Sequence, residues 1–131
     1  MKNAVEECLR WIGPAETTFP RFATVPVDLG DGFTIQPGEG AISVLAAADR
    51  DPARFANPDS FDISREDAHR HMAFGKGVHT CLGAPLARIE TQEALLALLE
   101  KMPDLALAVP ADEITWQASF IRGVQALPVR F

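Results

Sequence analysis

The residue types best suited to chemistry are gathered in one short segment. All three histidines of the chain, His69, His71 and His79, lie within residues 69–81, a stretch that ends on Cys81. Imidazole nitrogen and thiolate sulfur together are the ligand chemistry of borderline and soft metal ions. One arrangement is a tetrahedral zinc site using His69, His71, His79 and Cys81, although structural zinc motifs usually pair their ligands at two-residue or longer gaps. The other arrangement reads the glycines in Phe74-Gly75-Lys76-Gly77-Val78-His79-Thr80-Cys81-Leu82-Gly83. Gly75 and Gly77 allow positive φ and a close approach of backbone to a flat ligand, and Gly83 removes the side chain just after the sulfur. Cys81 stands shortly before a predicted helix, whose free N–H groups and dipole favour the thiolate, the form that ligates iron. In that arrangement His79 hydrogen-bonds an anionic substituent of the ligand, and Phe74 packs beside the sulfur and keeps water away.

The elements that must position this segment follow from patterning. Residues 84–102 read as a helix with Pro85 in its first turn, where a missing N–H costs nothing, followed by Leu86, Ile89, Leu95, Leu96, Leu98 and Leu99. Its second half is apolar nearly all round, which predicts burial. Residues 4–11 read as a second helix with Val5, Cys8, Leu9 and Ile12 at helical spacing, stopped by Gly13-Pro14 and preceded by Asn3 as its only capping candidate. Phe19, Phe22, Val25, Val27, Leu29, Phe33 and Ile35, punctuated by Gly30-Asp31-Gly32 and Pro37-Gly38, predict short strands and hairpin turns. Residues 42–48 fit strand or helix. Residues 49–65 predict a long ordered loop, and such loops are functional or tied to what they cover. Short strands are expected at 105–109, 115–117 and 127–131.

Composition bounds the rest. The chain has 131 residues, 47% of them apolar. That is enough to bury roughly two-thirds of the unfolded surface, so a single domain over residues 1–131 is expected. A charged fraction of 23% excludes a disordered tail. Twelve basic against eighteen acidic residues give a net charge of −6, which opposes nucleic-acid binding. No signal-peptide pattern opens the chain, and no run of ~18 apolar residues offers a membrane span. A cytoplasmic protein without a membrane partner is expected. Cys8 and Cys81 are too few for a disulfide framework, and Cys8 reads as a small core residue.

Phe-Gly-x-Gly-x-His-x-Cys-x-Gly resembles the heme-ligand loop of the cytochrome P450 family, the heme-thiolate monooxygenases. Ala84-Pro85-Leu86-Ala87-Arg88-Ile89-Glu90 continues as in bacterial members. The resemblance implies an α+β architecture corresponding to the proximal, C-terminal heme-binding portion of that fold: short strands, a long ordered loop and a helix after the cysteine. It implies heme b (iron protoporphyrin) as cofactor and Cys81 as the catalytic axial thiolate and metal ligand. Phe74, Gly75, His79 and Gly83 then belong to the cofactor-binding loop, and Arg21 faces a heme propionate. Full-length members use dioxygen and two electrons to insert one oxygen atom into a small organic substrate. An acidic, ferredoxin-type donor is expected behind the cysteine, where Arg65, Arg70, Lys76 and Arg88 flank the loop and Glu66 and Asp67 interrupt it.

Glu7 and Arg10 match the family's Glu-x-x-Arg helix, whose charges share a face and tie the helix to the heme-side loop. A loop arginine often completes this network, but Pro58-Asp59-Ser60-Phe61 carries Ser60 there, leaving Arg50 and Arg54 as candidate third partners. The resemblance places the chain after the long central helix that carries the oxygen-activating acid and alcohol, and Glu16-Thr17 cannot replace that pair. Heme binding without coupled oxygenation is therefore expected of this chain alone. The alternative is a truncated, non-enzymatic heme-binding module or an inactive remnant.

Overall fold

The computed structural model describes residues 1–131. Helix α1 (Lys2–Ile12) starts two residues before the expected position. Asn3 does not cap it but donates from its side chain to the carbonyls of Ile63 and Arg65, at 2.7 and 3.0 Å. The helix stops where a side chain would collide. A Cβ on Gly13 would lie 2.8 Å from the Leu9 carbonyl oxygen and 2.9 Å from Ala73 Cβ, so only glycine lets the chain leave α1 against the segment before the cysteine.

The following stretch forms four short strands. β1 (Arg21–Phe22) pairs antiparallel with β4 (Gly40–Ala41), placing Arg21 opposite Ala41. β2 (Val27–Gly30) and β3 (Phe33–Ile35) form a hairpin. Its turn takes Gly30, Asp31 and Gly32 through positive φ, as this turn chemistry requires. The ambiguous run 42–48 resolves into one helical turn, α2 (Leu45–Ala48). No regular element occupies residues 49–65, and short 3₁₀ turns follow at Ala68–Arg70 and Gly77–His79. Helix α3 (Ala84–Lys101) has proline in its first turn as expected. β5 (Ala106–Leu107) and β6 (Val129–Arg130) close the chain as an antiparallel pair. Isolated bridges join Ala15 to Ile121 and Thr17 to Val44, so the C-terminal segment returns beside the strand that leaves α1. The architecture is α+β.

α1 lies at the centre, packed against α2, α3 and the turn at Ala68–Arg70. Its two inner charges hold the long loop. Arg10 donates from Nε and Nη2 to the two Glu7 oxygens, at 2.7 and 2.8 Å, with both side chains fully buried. The remaining Arg10 hydrogens reach the carbonyls of Asp49, Pro58 and Ser60 at 2.8–2.9 Å. A loop that has no ladder of its own thus borrows one guanidinium as its scaffold.

The third partner is neither Arg50 nor Arg54. Arg65 brings Nε to 3.4 Å from Glu7 Oε2 and donates to the carbonyls of Ala56, Asn57 and Ser60. Arg50 is taken up by the Trp11 carbonyl and Asp59, and Arg54 lies over the Phe55 ring.

Two burial expectations fail. Only ten of 131 residues are buried, the apolar ones being Val5, Leu45, Phe55, Ala68, Ala73 and Ala84. The accessible surface is 9468 Å², whereas surface scaling gives about 6,800 Å² for a compact chain of this mass. The apolar second half of α3 is likewise only partly covered, with Leu99 63%, Leu96 41% and Leu98 39% exposed.

Candidate functional site

The loop before α3 is shaped by its glycines and closed by its backbone. Gly75 and Gly77 adopt φ of +68° and +80°, the left-handed region expected of them. The Cys81 N–H donates to the Phe74 carbonyl at 2.9 Å, drawing the two ends of the loop together. Thr80 donates from its backbone N–H and hydroxyl to the Gly77 carbonyl, at 3.1 and 2.8 Å. Gly83 has ordinary φ and leads directly into α3, and a Cβ there would sit 3.7 Å from Cys81 Sγ.

A cavity of about 900 Å³ lies on one side of this loop. Phe74, Gly75, His79 and Cys81 line it from the loop, and Arg21 lines it from β1, far away in sequence. Gly77 and Gly83 of the same loop lie outside that lining, as do His69 and His71. The opposite wall is aromatic and was not foreseen: Phe19 stacks on Phe120 with ring centroids 4.8 Å apart, and both face the cavity. No pattern in the sequence links the two, because the C-terminal segment reaches Phe19 only through the bridge between Ala15 and Ile121.

The lining contains one cation, one imidazole, one thiol and no carboxylate. This donor set suits a flat, mostly apolar ligand that carries acidic substituents and a metal able to take sulfur. Heme meets each of these requirements. The four-residue zinc arrangement is not assembled, since no group of three or more His, Cys, Asp or Glu side chains is placed to hold a metal ion. His69 is exposed beside the Glu66 carbonyl, and His71 is buried against Glu6.

Behind the loop, the expected basic flank is smaller than the sequence implies. Arg70 and Lys76 are exposed. Arg65 turns inward to Glu7, and Arg88 donates to both oxygens of Glu6, at 2.6 and 2.9 Å. Burial alone would raise the Glu6 pKa, but the hydrogen bonds and charges of Arg88 and His71 outweigh it and hold the carboxyl below its usual range. Burial depresses the His71 pKa against the pull of Glu6. The Ala73 N–H donates to His71 Nδ1 at 3.0 Å, so the neutral ring carries its proton on Nε2, 3.1 Å from Glu6.

No helix is long and apolar enough to cross a membrane. The Cytochrome P450 family profile matches residues 1–102. The cytochrome P450 monooxygenase PikC of Streptomyces venezuelae is 51% identical over 132 residues, which span 100% of this chain and 31% of PikC. The 6-deoxyerythronolide B hydroxylase of Saccharopolyspora erythraea is 44% identical, over 99% of this chain and 32% of the hydroxylase. Among solved structures, GfsF superimposes with a TM-score of 0.94 at 45% identity, over 99% of this chain and 34% of GfsF. P450BioI, solved in complex with an acyl carrier protein bearing hexadec-9Z-enoic acid, gives 0.90 at 44% identity over 99% of this chain and 32% of its own. The chain therefore spans about a third of the length of these relatives. In sequence profile, in identity and in fold, it belongs to the cytochrome P450 family.

Proposed function

We propose that this chain is the heme-holding portion of a heme-thiolate monooxygenase, in which Cys81 would ligate the iron of heme b. The observation that carries this reading is the shared cavity: Cys81, His79, Phe74, Gly75 and Arg21 line one space of about 900 Å³ without a carboxylate among them. When bound, heme supplies the iron at which such enzymes activate dioxygen and transfer one oxygen atom to a small organic substrate. The chain's own residues hold and shape that site. Cys81 would supply the sulfur ligand, which as a thiolate is a strong electron donor to iron. Arg21 and His79, which line the cavity, would hold heme's acidic substituents by hydrogen bonds, charge-assisted from the guanidinium. Gly75 and Gly77 would let the backbone approach the flat ligand, and Phe74, which lines the same cavity, would pack beside it. Phe19 and Phe120 offer an apolar wall to the organic substrate.

A ferredoxin-type acidic donor would meet the exposed Arg70 and Lys76, and the loop around Cys81 also presents the fully open apolar side chains of Val78 and Leu82. Because the chain spans a third of its relatives, substrate oxidation is assigned to the full-length protein, and heme ligation to this portion.

The test is the absorption spectrum of the chain loaded with hemin, reduced and exposed to carbon monoxide, beside Cys81→Ser. A strongly red-shifted Soret band that disappears in the variant is expected. Failure to take up hemin, or a band indifferent to the substitution, overturns the reading.

A further inference from the structure

Helix α1 carries two adjacent carboxylates that serve different partners. Glu7 is committed to Arg10, to the Asp62 N–H at 2.8 Å and to Arg65. Glu6 reaches the opposite way, toward α3 and the approach to the cysteine. Arg88 grips it with two hydrogen bonds, and the His71 ring donates to the same carboxylate. The Arg88 guanidinium stands 4.7 Å from the centroid of the Phe74 ring, and the His71 ring lies 5.8 Å from it. Phe74 in turn accepts the Cys81 N–H on its carbonyl. An unbroken set of contacts runs from Glu6, through Arg88 and His71, to the backbone of the cysteine.

We propose that Glu6 is a positioning residue for the Cys81 loop, fixing Phe74 through Arg88 and His71 and thereby fixing the Cys81 N–H that Phe74 accepts. The loop has glycine at two of its positions and no strand or long helix of its own, so something outside it must restrict it. Arg88 is 37% exposed along its side chain. A single cation over a ring at such a site is a weak restraint, whereas a two-bond fork onto a carboxylate fixes the plane of the guanidinium. Glu6 supplies that fork, and on Oε2, which also accepts from Arg88, it sets the tautomer by which His71 holds the Ala73 N–H. The consequence for heme ligation rests on the reading above; the tether itself belongs to the chain without heme.

The experiment is backbone amide hydrogen exchange by NMR on the full 131-residue chain without heme, comparing it with Glu6→Gln, Arg88→Gln and Arg88→Lys. The Cys81 and Ala73 amides are expected to be protected. They should lose about tenfold or more of that protection in Glu6→Gln and Arg88→Gln while amides of the β2–β3 hairpin keep theirs. Arg88→Lys keeps the charge and should restore part of it. Nitrogen shifts of the His71 ring should report the Nε2–H form in the parent and a mixture of forms in Glu6→Gln. A Cys81 amide unprotected in the parent, or unchanged in Glu6→Gln, overturns the proposal. So does a uniform loss across all amides, the pattern of a simple staple between α1 and α3. If Glu6→Gln does not fold, Arg88→Gln carries the same comparison. Hemin uptake by the parent is scored separately: its absence overturns the heme reading, and the amides alone decide the tether.

Discussion

Arg65 Nε lies 3.4 Å from Glu7 Oε2, and it is the single buried side-chain nitrogen or oxygen without a hydrogen-bond partner. The guanidinium is held by its other nitrogens on three loop carbonyls, and its Nε contributes charge rather than a hydrogen bond. Glu7 is therefore shared unequally, with Arg10 gripping it in a fork and Arg65 stabilising it from outside. Burial by itself would raise the Glu7 pKa. The Arg10 and Asp62 hydrogen bonds and the two positive charges reverse that and hold the carboxyl below its usual range.

Removing either member of the inner pair leaves the other as a buried charge without its forked partner. Glu7→Gln and Arg10→Ala are each expected to lose about 3–5 kcal/mol of stability. In so lightly packed a chain that abolishes cooperative unfolding, as urea titration followed by circular dichroism would reveal. Arg65→Lys should cost distinctly less, because Arg10 still forks Glu7. Equal losses in all three variants would contradict the unequal sharing.

Asp49 gives the opposite pH dependence from Glu7. It is buried, accepts the Met72 N–H at 2.6 Å, and is pushed up to about 6 by burial, against the pull of that hydrogen bond and of Arg10. Its folded pKa lies above the unfolded value of about 3.9, so its contribution is full below that value and is lost as pH rises through about 6. Glu7, depressed, contributes above its unfolded value and loses that as pH falls. Asp49→Asn should flatten the decline in stability between about pH 4 and 6 and gain roughly 2 kcal/mol at pH 7. Thermal melting across that pH range would check it.

The three loop glycines should not respond alike. Gly75→Ala and Gly77→Ala force a side chain into positive φ, at about 1 kcal/mol each, and should weaken hemin uptake. Gly83→Ala should fold and bind normally, since its φ is ordinary and the added Cβ meets the sulfur at 3.7 Å. Gly83→Leu should fold yet fail to bind, because the larger side chain fills the space beside Cys81. Difference spectra with hemin separate these cases.

Uncovered apolar surface predicts self-association. Leu96, Leu98 and Leu99 on α3 are open, together with Phe22, Phe33 and Leu29 of the strand region. The isolated chain should gain mass with concentration in light scattering. Leu99→Glu should reduce this without lowering stability by more than about 0.5 kcal/mol, as an exposed position allows. A monomer at all concentrations would contradict it.

The local code was readable wherever a constraint is local. Gly75 and Gly77 take the conformations that their neighbours in the loop demand, Pro85 marks the first turn of α3, and Gly13-Pro14 ends α1. The Phe74 to Gly83 pattern alone pointed to the cytochrome P450 family, because spacing of this kind is written in consecutive residues. What the sequence left open depended on contacts across long chain separations. Arg65, Arg50 and Arg54 carry the same charge, and only the path of residues 49–65 around α1 decided which of them joins Arg10 at Glu7. Likewise Glu6 and Glu7 are neighbours of one type. Helical geometry turned them about 100° apart, sending one to Arg88 and the other to Arg10, and so gave adjacent identical residues different partners.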